Sequence, residues 1–292
     1  MSPPHAPDPT LAAALDEFGE VEAVAAATFP AHLLDPVRHA IARLLRADPN
    51  GGVVDPPSPD AEVAVRYAEQ FVVDVGGIGP ELRAEFGSTF GAGSFELVQA
   101  VYVFDVFTRA RLALRKFDEE PPVSKPRPSA EPGALWQSLE TFMRSVARLD
   151  ALDPVTSELV RLRGARIHGC RLCQSRRSLR ALDAAGEAAF APDARPASER
   201  HVIAIELVDL LVTQPSEIDA DLVQRTRASF TPGEIVELIL DVARNAANKI
   251  AVAFAADAAN VVDGIEFYDI DADGEVVADV DADVVRRATT PS

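Results

Sequence analysis

The chain has 292 residues, about two average domains or one large one, of which 48% are hydrophobic and 25% charged. That balance fits a globular chain with a core and excludes disorder for its bulk. Its 28 basic residues face 46 acidic ones, a formal net charge of −18, so it lacks the broad basic face that a nucleic-acid partner requires.

In chain order, Pro3, Pro4, Pro7 and Pro9 mark 1–9 as a disordered leader without the basic and apolar regions of a signal peptide. Helical periodicity follows at 10–28, 36–47, 61–74 and 93–116, broken by a loop at Pro49, Pro56, Pro57 and Pro59. Pro121, Pro122, Pro126, Pro128 and Pro132 make 121–133 a semi-extended linker between two similar halves. The helical pattern resumes at 134–149, 155–168, 171–184, 198–213, 219–229 and 232–260. The last of these has a full start signal: Thr231 as N-cap, Pro232 at the first helical position and Glu234 in the first turn. Trp136 and Met143, seven residues apart on one helix, read as core packing.

Beyond 262 the acidic tail 263–292 turns to strand patterning, IEFYDID then EVVADVD, a β-hairpin turning at Asp273-Gly274. Asp269, Asp271 and Asp273 imitate the opening of a calcium loop, but Val280 stands where a bidentate glutamate is needed. Gly91-Ala-Gly93 lacks the third glycine and the strand of a dinucleotide motif. No apolar run approaches the ~20 residues that span a bilayer, so no membrane partner is expected. The fold class is all-α with a short C-terminal hairpin, and neither a cofactor nor a bound metal is expected.

The chain also reads as an internal duplication. Leu34-Asp35-Pro36-Val37 recurs as Leu152-Asp153-Pro154-Val155, each opening a helix, at a shift of 118 residues. Ala64, Val72, Ile78, Leu82, Phe90 and Gly93 recur as Ala204, Val212, Ile218, Leu222, Phe230 and Gly233 at a shift of 140. The second copy, 134–262, therefore holds 22 extra residues between Ala165 and His201, where the cysteines lie, while the first, 10–120, has none.

The chemistry centres on that extra segment. Cys170 and Cys173 are the chain's two cysteines; without a signal peptide such a pair points to cytoplasmic redox or metal chemistry rather than to stapling. A C-x-x-C at a helix start places two sulfurs one turn apart, within disulfide reach, and the helix N-terminus favours a thiolate. Residues 159–182 carry Arg161, Arg163, Arg166, Arg171, Arg176, Arg177 and Arg180 and no acid, which predicts a lowered thiol pKa. Two cysteines alone make a poor zinc site, since His168 and His201 lack finger-like spacing. An inert buried pair is the plainer alternative to redox use.

Glu158, twelve residues before Cys170, and the blocks SERHVIAIELVDLLV and FTPGEIVELILDVARNAANKIAVAF give the chain a resemblance. Over 150–258, and weakly over 34–116, it resembles the alkylhydroperoxidase D-like proteins of the carboxymuconolactone decarboxylase superfamily. That resemblance implies an all-helical trimer or hexamer that reduces a hydroperoxide through the cysteine pair and is recharged by an external thiol or protein disulfide reductant. It implies Cys173 as the attacking sulfur, Cys170 as its resolving partner and Glu158 as the residue polarising the relay. A duplicated chain would then form a trimer imitating a hexamer, or a dimer.

One departure stands out: the family places a histidine four residues after the second cysteine, and this chain has Arg177. On a continuing helix Arg177 would share a face with Cys173, able to hold a thiolate but not to relay a proton. His168 is the candidate replacement shuttle, or simply fills a helix terminus. The departure leaves open a non-enzymatic redox-responsive or scaffold protein. The arginines would also suit a decarboxylase-like lyase acting on a small anion.

Overall fold

Proline and short polar caps set where the helices begin. The computed structural model describes residues 9–48 and 56–290; the leader through residue 8 and Pro49 lie outside them. Helix α1 (Pro9–Ala25) starts at the last leader proline, and α2 (Ala31–Leu44) follows. Helices α3 (Pro59–Asp74) and α4 (Pro80–Phe90) each place proline in the first turn, where its missing N–H costs no intrahelical bond. Pro36 lies inside α2 rather than at its start, so the Leu34–Val37 copy does not open a helix as its counterpart does. It falls in the second turn, past the unpaired N–H groups of the helix start, so α2 forgoes the bond to the His32 carbonyl there.

The expected long helix over 93–116 is α5 (Ser94–Tyr102), a π-turn (Val103–Phe107) and α6 (Thr108–Lys116). The run Pro80–Lys116 is, contrary to the sequence expectation, long and apolar enough to cross a membrane by length and composition, but 67% of its apolar window is buried inside the protein. It is the core of the fold. Phe107 stacks on Phe18 of α1 at 4.4 Å and meets Phe142 of α7 (Ala134–Ala147) at 5.0 Å, so the two halves share one aromatic cluster.

The second half runs α8 (Pro154–Ile167), α9 (Arg171–Gln174), β1 (Arg176–Ser178) and α10 (Leu179–Ala185). After it come α11 (Glu199–Thr213), α12 (Ala220–Ser229), α13 (Pro232–Asn245) and α14 (Asn248–Ala253). Shifted by 140, α3, the 3₁₀ turn Val75–Gly77 and α4 fall on α11, the turn Pro215–Glu217 and α12, and the N-caps Ser58 and Ser198 also correspond. Thr231 and Glu234 form the capping box that α13 was expected to carry.

The hairpin of β2 (Glu266–Ile270) and β3 (Val276–Asp279) is antiparallel, with Ile270 opposite Val276, and α15 (Ala282–Thr289) follows it. Asp271 Oδ1 accepts the Asp273 and Glu275 N–H groups at the turn, so this carboxylate shapes a hairpin. A third strand was not foreseen: β1 joins β2 in parallel, Arg177 beside Phe267, inside the stretch expected to be helix over 171–184. The 121–133 segment carries no regular element, and the Pro122 carbonyl lies so close to Gly19 that a Cβ there would sit 2.3 Å from it. Trp136 is 38% exposed beside Phe95, which corrects its expected place in the core.

Candidate functional site

The C-x-x-C stands on a junction between two helices. Gly169, at φ +67°, ends α8 in a Schellman arrangement: its N–H donates to Arg166 O, and the Cys170 N–H donates to Ala165 O at 3.0 Å. Cys170 is then the N-cap of α9, and its Sγ accepts the Cys173 N–H at 3.2 Å. The two sulfurs are joined as a disulfide. Asp257, just beyond α14, fixes the start of α9 from outside: its carboxylate accepts the Arg171 N–H and its carbonyl the Leu172 N–H, both at 2.9 Å. The hydrogen bonds from Arg171 hold the Asp257 carboxyl below the ordinary carboxylate range.

Glu158 is buried and accepts from four groups. Arg161 donates twice, from Nε and Nη2 at 2.7 Å, the Ser178 N–H once at 3.2 Å and the Tyr268 hydroxyl once at 2.9 Å. Arg161 also donates to Cys173 O and Arg176 O, each at 2.8 Å. Glu158 therefore reaches the C-x-x-C through Arg161, and among the described residues it makes no hydrogen bond to either sulfur. Burial pushes the Tyr268 phenol up, so it stays protonated and donating.

Arg177 is not on a helix face shared with Cys173. Helix α9 ends at Gln174, and Arg177 sits on β1, buried, its Nη1 donating to Gln174 O and Arg176 O at 2.7 Å. The pairing of β1 with the hairpin overrides the helical pattern there. Its role is to hold the turn after α9.

His168 caps α8 at the C-terminus and lines the cleft beside the two sulfurs, with Val160, Ala165, Val242 and Ala246. That cleft leaves about 10 Å³ of free space, room for about one water. Burial, and then the Lys249 charge, push His168 down to about 3, so its imidazole is neutral at neutral pH.

The arginine excess in sequence is largely cancelled in space. Arg161 pairs with Glu158, Arg163 with Asp209, Arg171 with Asp257, Arg176 with Glu266 and Arg180 with Asp269. Arg166 donates instead to the Phe190 and Ala191 carbonyls at 3.4 Å. The positive field on the thiols is thus much weaker than the count of seven suggests.

A second cavity of about 190 Å³ lies on the other side of Arg161, between α8, α13 and the hairpin. Burial and then Asp241 raise Glu237 there to about 8, and burial raises Asp241 to about 6. Glu237 accepts the Ala151 and Leu152 N–H groups, and Asp241 accepts the Ser157 hydroxyl. None of these was singled out from the sequence; the four-residue spacing of Glu237 and Asp241 on one helix was the available signal.

Fold and site together define a mostly helical protein with a buried C-x-x-C disulfide at a helix junction, tied to a C-terminal hairpin. The chain belongs to one family with two proteins of Mycobacterium tuberculosis, Uncharacterized protein Rv2313c (strain ATCC 25618 / H37Rv) and Uncharacterized protein MT2376 (strain CDC 1551 / Oshkosh). Each is 38% identical over 239 residues, covering 77% of this chain and 83% of the relative. No family model and no solved structure matches the chain.

Proposed function

We propose that the protein is a cytoplasmic thiol-dependent peroxidase working through Cys170 and Cys173. The observation that carries this reading is the closed C-x-x-C on a helix N-cap, opening on a small cleft with a neutral imidazole. Cys173, 6% exposed against 1% for Cys170, is the more accessible sulfur. As a thiolate it attacks the hydroperoxide: an S–O bond forms, the O–O bond breaks, and the alkoxide takes a proton from solvent and leaves as an alcohol. Cys170, whose anion the Cys173 N–H favours, then attacks the sulfenic sulfur: the S–S bond forms, the S–O bond breaks, and the hydroxide takes a proton from solvent and leaves as water. An external dithiol returns the pair to thiols and is itself oxidised to a disulfide. Glu158 acts as a positioning residue through Arg161.

The test is hydroperoxide consumption with dithiothreitol as reductant. Turnover lost in Cys173→Ser supports the reading, and no turnover in the wild type refutes it. The saturation of Glu158 by four donors favours a second reading, a redox-responsive protein without catalysis, for which the pair would cycle while peroxide is not consumed. The trimer or dimer expected from the resemblance has its support in the exposed Phe95 and Trp136 rings, 6.0 Å apart. Light scattering that returns the mass of a single chain refutes it.

A further inference from the structure

Asp105 lies on the π-turn, fully buried, and holds two cations: Arg109 Nε at 2.6 Å and Lys249 Nζ at 2.5 Å. A π-turn is an irregularity that helices often carry at functional sites. Arg109 spends its other donors on the carbonyls of Val212, Thr213 and Val72. Lys249 makes no further hydrogen bond among the described residues and lies 4.4 Å over the Phe71 ring. Two buried cations against one buried carboxylate leave one positive charge in the interior with only the exposed Asp74 carboxylate to offset it, and burial holds the Lys249 ammonium below its ordinary value.

That charge faces a cleft. A cavity of about 260 Å³ between the ends of α2, α3, α8 and α11 has Arg109, Lys249 and His168 among its polar lining and Leu45, Val72 and Ile167 among its apolar walls. The His168 ring nitrogens take no hydrogen bond among the described residues, and a neutral imidazole offers one donor. Asp74 stands exposed at the mouth, where water screens it. The interior therefore presents a cation and a free N–H donor at one end of an apolar cleft. This is the complement of a small anion with an apolar body.

We propose that this cleft binds a small organic monocarboxylate, its head on Lys249 Nζ and the His168 N–H and its body along Leu45, Val72 and Ile167. The site does not depend on thiol chemistry, although His168 also walls the cleft at the disulfide.

Calorimetric titration of the full chain with hexanoate, and with hexan-1-ol as its uncharged counterpart, tests it. Saturable 1:1 binding of hexanoate is expected, with hexan-1-ol at least about tenfold weaker, the weight of a charge-assisted hydrogen bond. Lys249→Met leaves the Asp105–Arg109 pair neutral and is expected to weaken hexanoate at least about tenfold. Val73→Glu, at an exposed position on the rim, is expected to weaken it several-fold without touching the core. Binding by Cys173→Ser within twofold of wild type separates this site from the peroxidase reading. Hexan-1-ol binding as tightly as hexanoate, no saturable heat at millimolar hexanoate, or wild-type affinity in either Lys249→Met or Val73→Glu overturns the proposal.

Discussion

The hydroxyl of Tyr268 donates 2.9 Å to the carboxylate of Glu158 across 110 residues of chain, while the Arg161 guanidinium lies 5.2 Å over the same ring. The hairpin is thereby part of the cysteine site: Tyr268 meets Glu158, Glu158 orients Arg161, and Arg161 holds the Cys173 and Arg176 carbonyls. Tyr268→Phe removes one donor from a buried carboxylate, which costs about 1–3 kcal/mol. A thermal melt should show a Tm several degrees lower, and an unchanged Tm would mean that the contact carries no weight.

Much of this frame was legible in the sequence. Thr231, Pro232 and Glu234 announce α13 because capping is local chemistry, and Asp273-Gly274 announces the hairpin because its turn needs the positive φ of Gly274. What was hidden lies in partners far along the chain. The Arg171–Asp257 and Arg176–Glu266 pairs span 86 and 90 residues, so local counting saw only uncompensated arginines. The three-residue β1 exists because β2 offers it an edge, a tertiary cause that no local propensity signals.

Stability should fall as pH rises from about 5 to about 8. Glu237 and Asp241 have folded-state pKa values of about 8 and about 6, above their ordinary 4.5 and 3.8. A raised acid binds its proton more tightly folded than unfolded, so its contribution is complete below the unfolded pKa and is lost as pH climbs through the folded one. Glu237→Gln keeps an acceptor for the Ala151 and Leu152 N–H groups and should flatten the Tm-against-pH curve above pH 5. An identical slope in wild type and variant would exclude Glu237 as its source.

Two glycines with positive φ should respond differently to alanine. At Gly274 (φ +82°) a Cβ would lie 2.5 Å from the Arg144 carbonyl oxygen, so backbone conformation and contact both oppose it. At Gly169 (φ +67°) nothing lies within 4 Å, leaving the backbone cost of about 1–2 kcal/mol. Chemical denaturation should therefore rank Gly274→Ala as the more damaging, and the reverse order would mean that the hairpin does not pack on α7 as described.

Arg177→His should not raise peroxidase turnover. The substitution would help if residue 177 faced Cys173 along a helix, but α9 stops at Gln174 and the Arg177 guanidinium secures the Gln174 and Arg176 carbonyls. Histidine is too short to keep both bonds, so the turn after α9 loosens and turnover falls or stays level. Steady-state rates across pH 6–8 decide this, and a gain near the imidazole pKa would restore the proton-relay role.

Reduction of the disulfide should leave the fold standing. Cys170 and Cys173 close a loop with a sequence separation of only three, and in the chain-entropy account so short a loop is worth about 2 kcal/mol. At about 2–4 °C per kcal/mol for a chain near this size, excess dithiothreitol should lower Tm by about 8 °C at most and leave the far-UV circular dichroism unchanged. The anchors around the pair explain why: Asp257 on the α9 start, Arg161 on the Cys173 carbonyl and Arg177 on the α9 end are independent of the S–S bond. A bond that opens without unfolding its surroundings can be cycled by a reductant. Loss of helicity on reduction would instead make the pair a structural staple, and the peroxidase proposal would lose its premise.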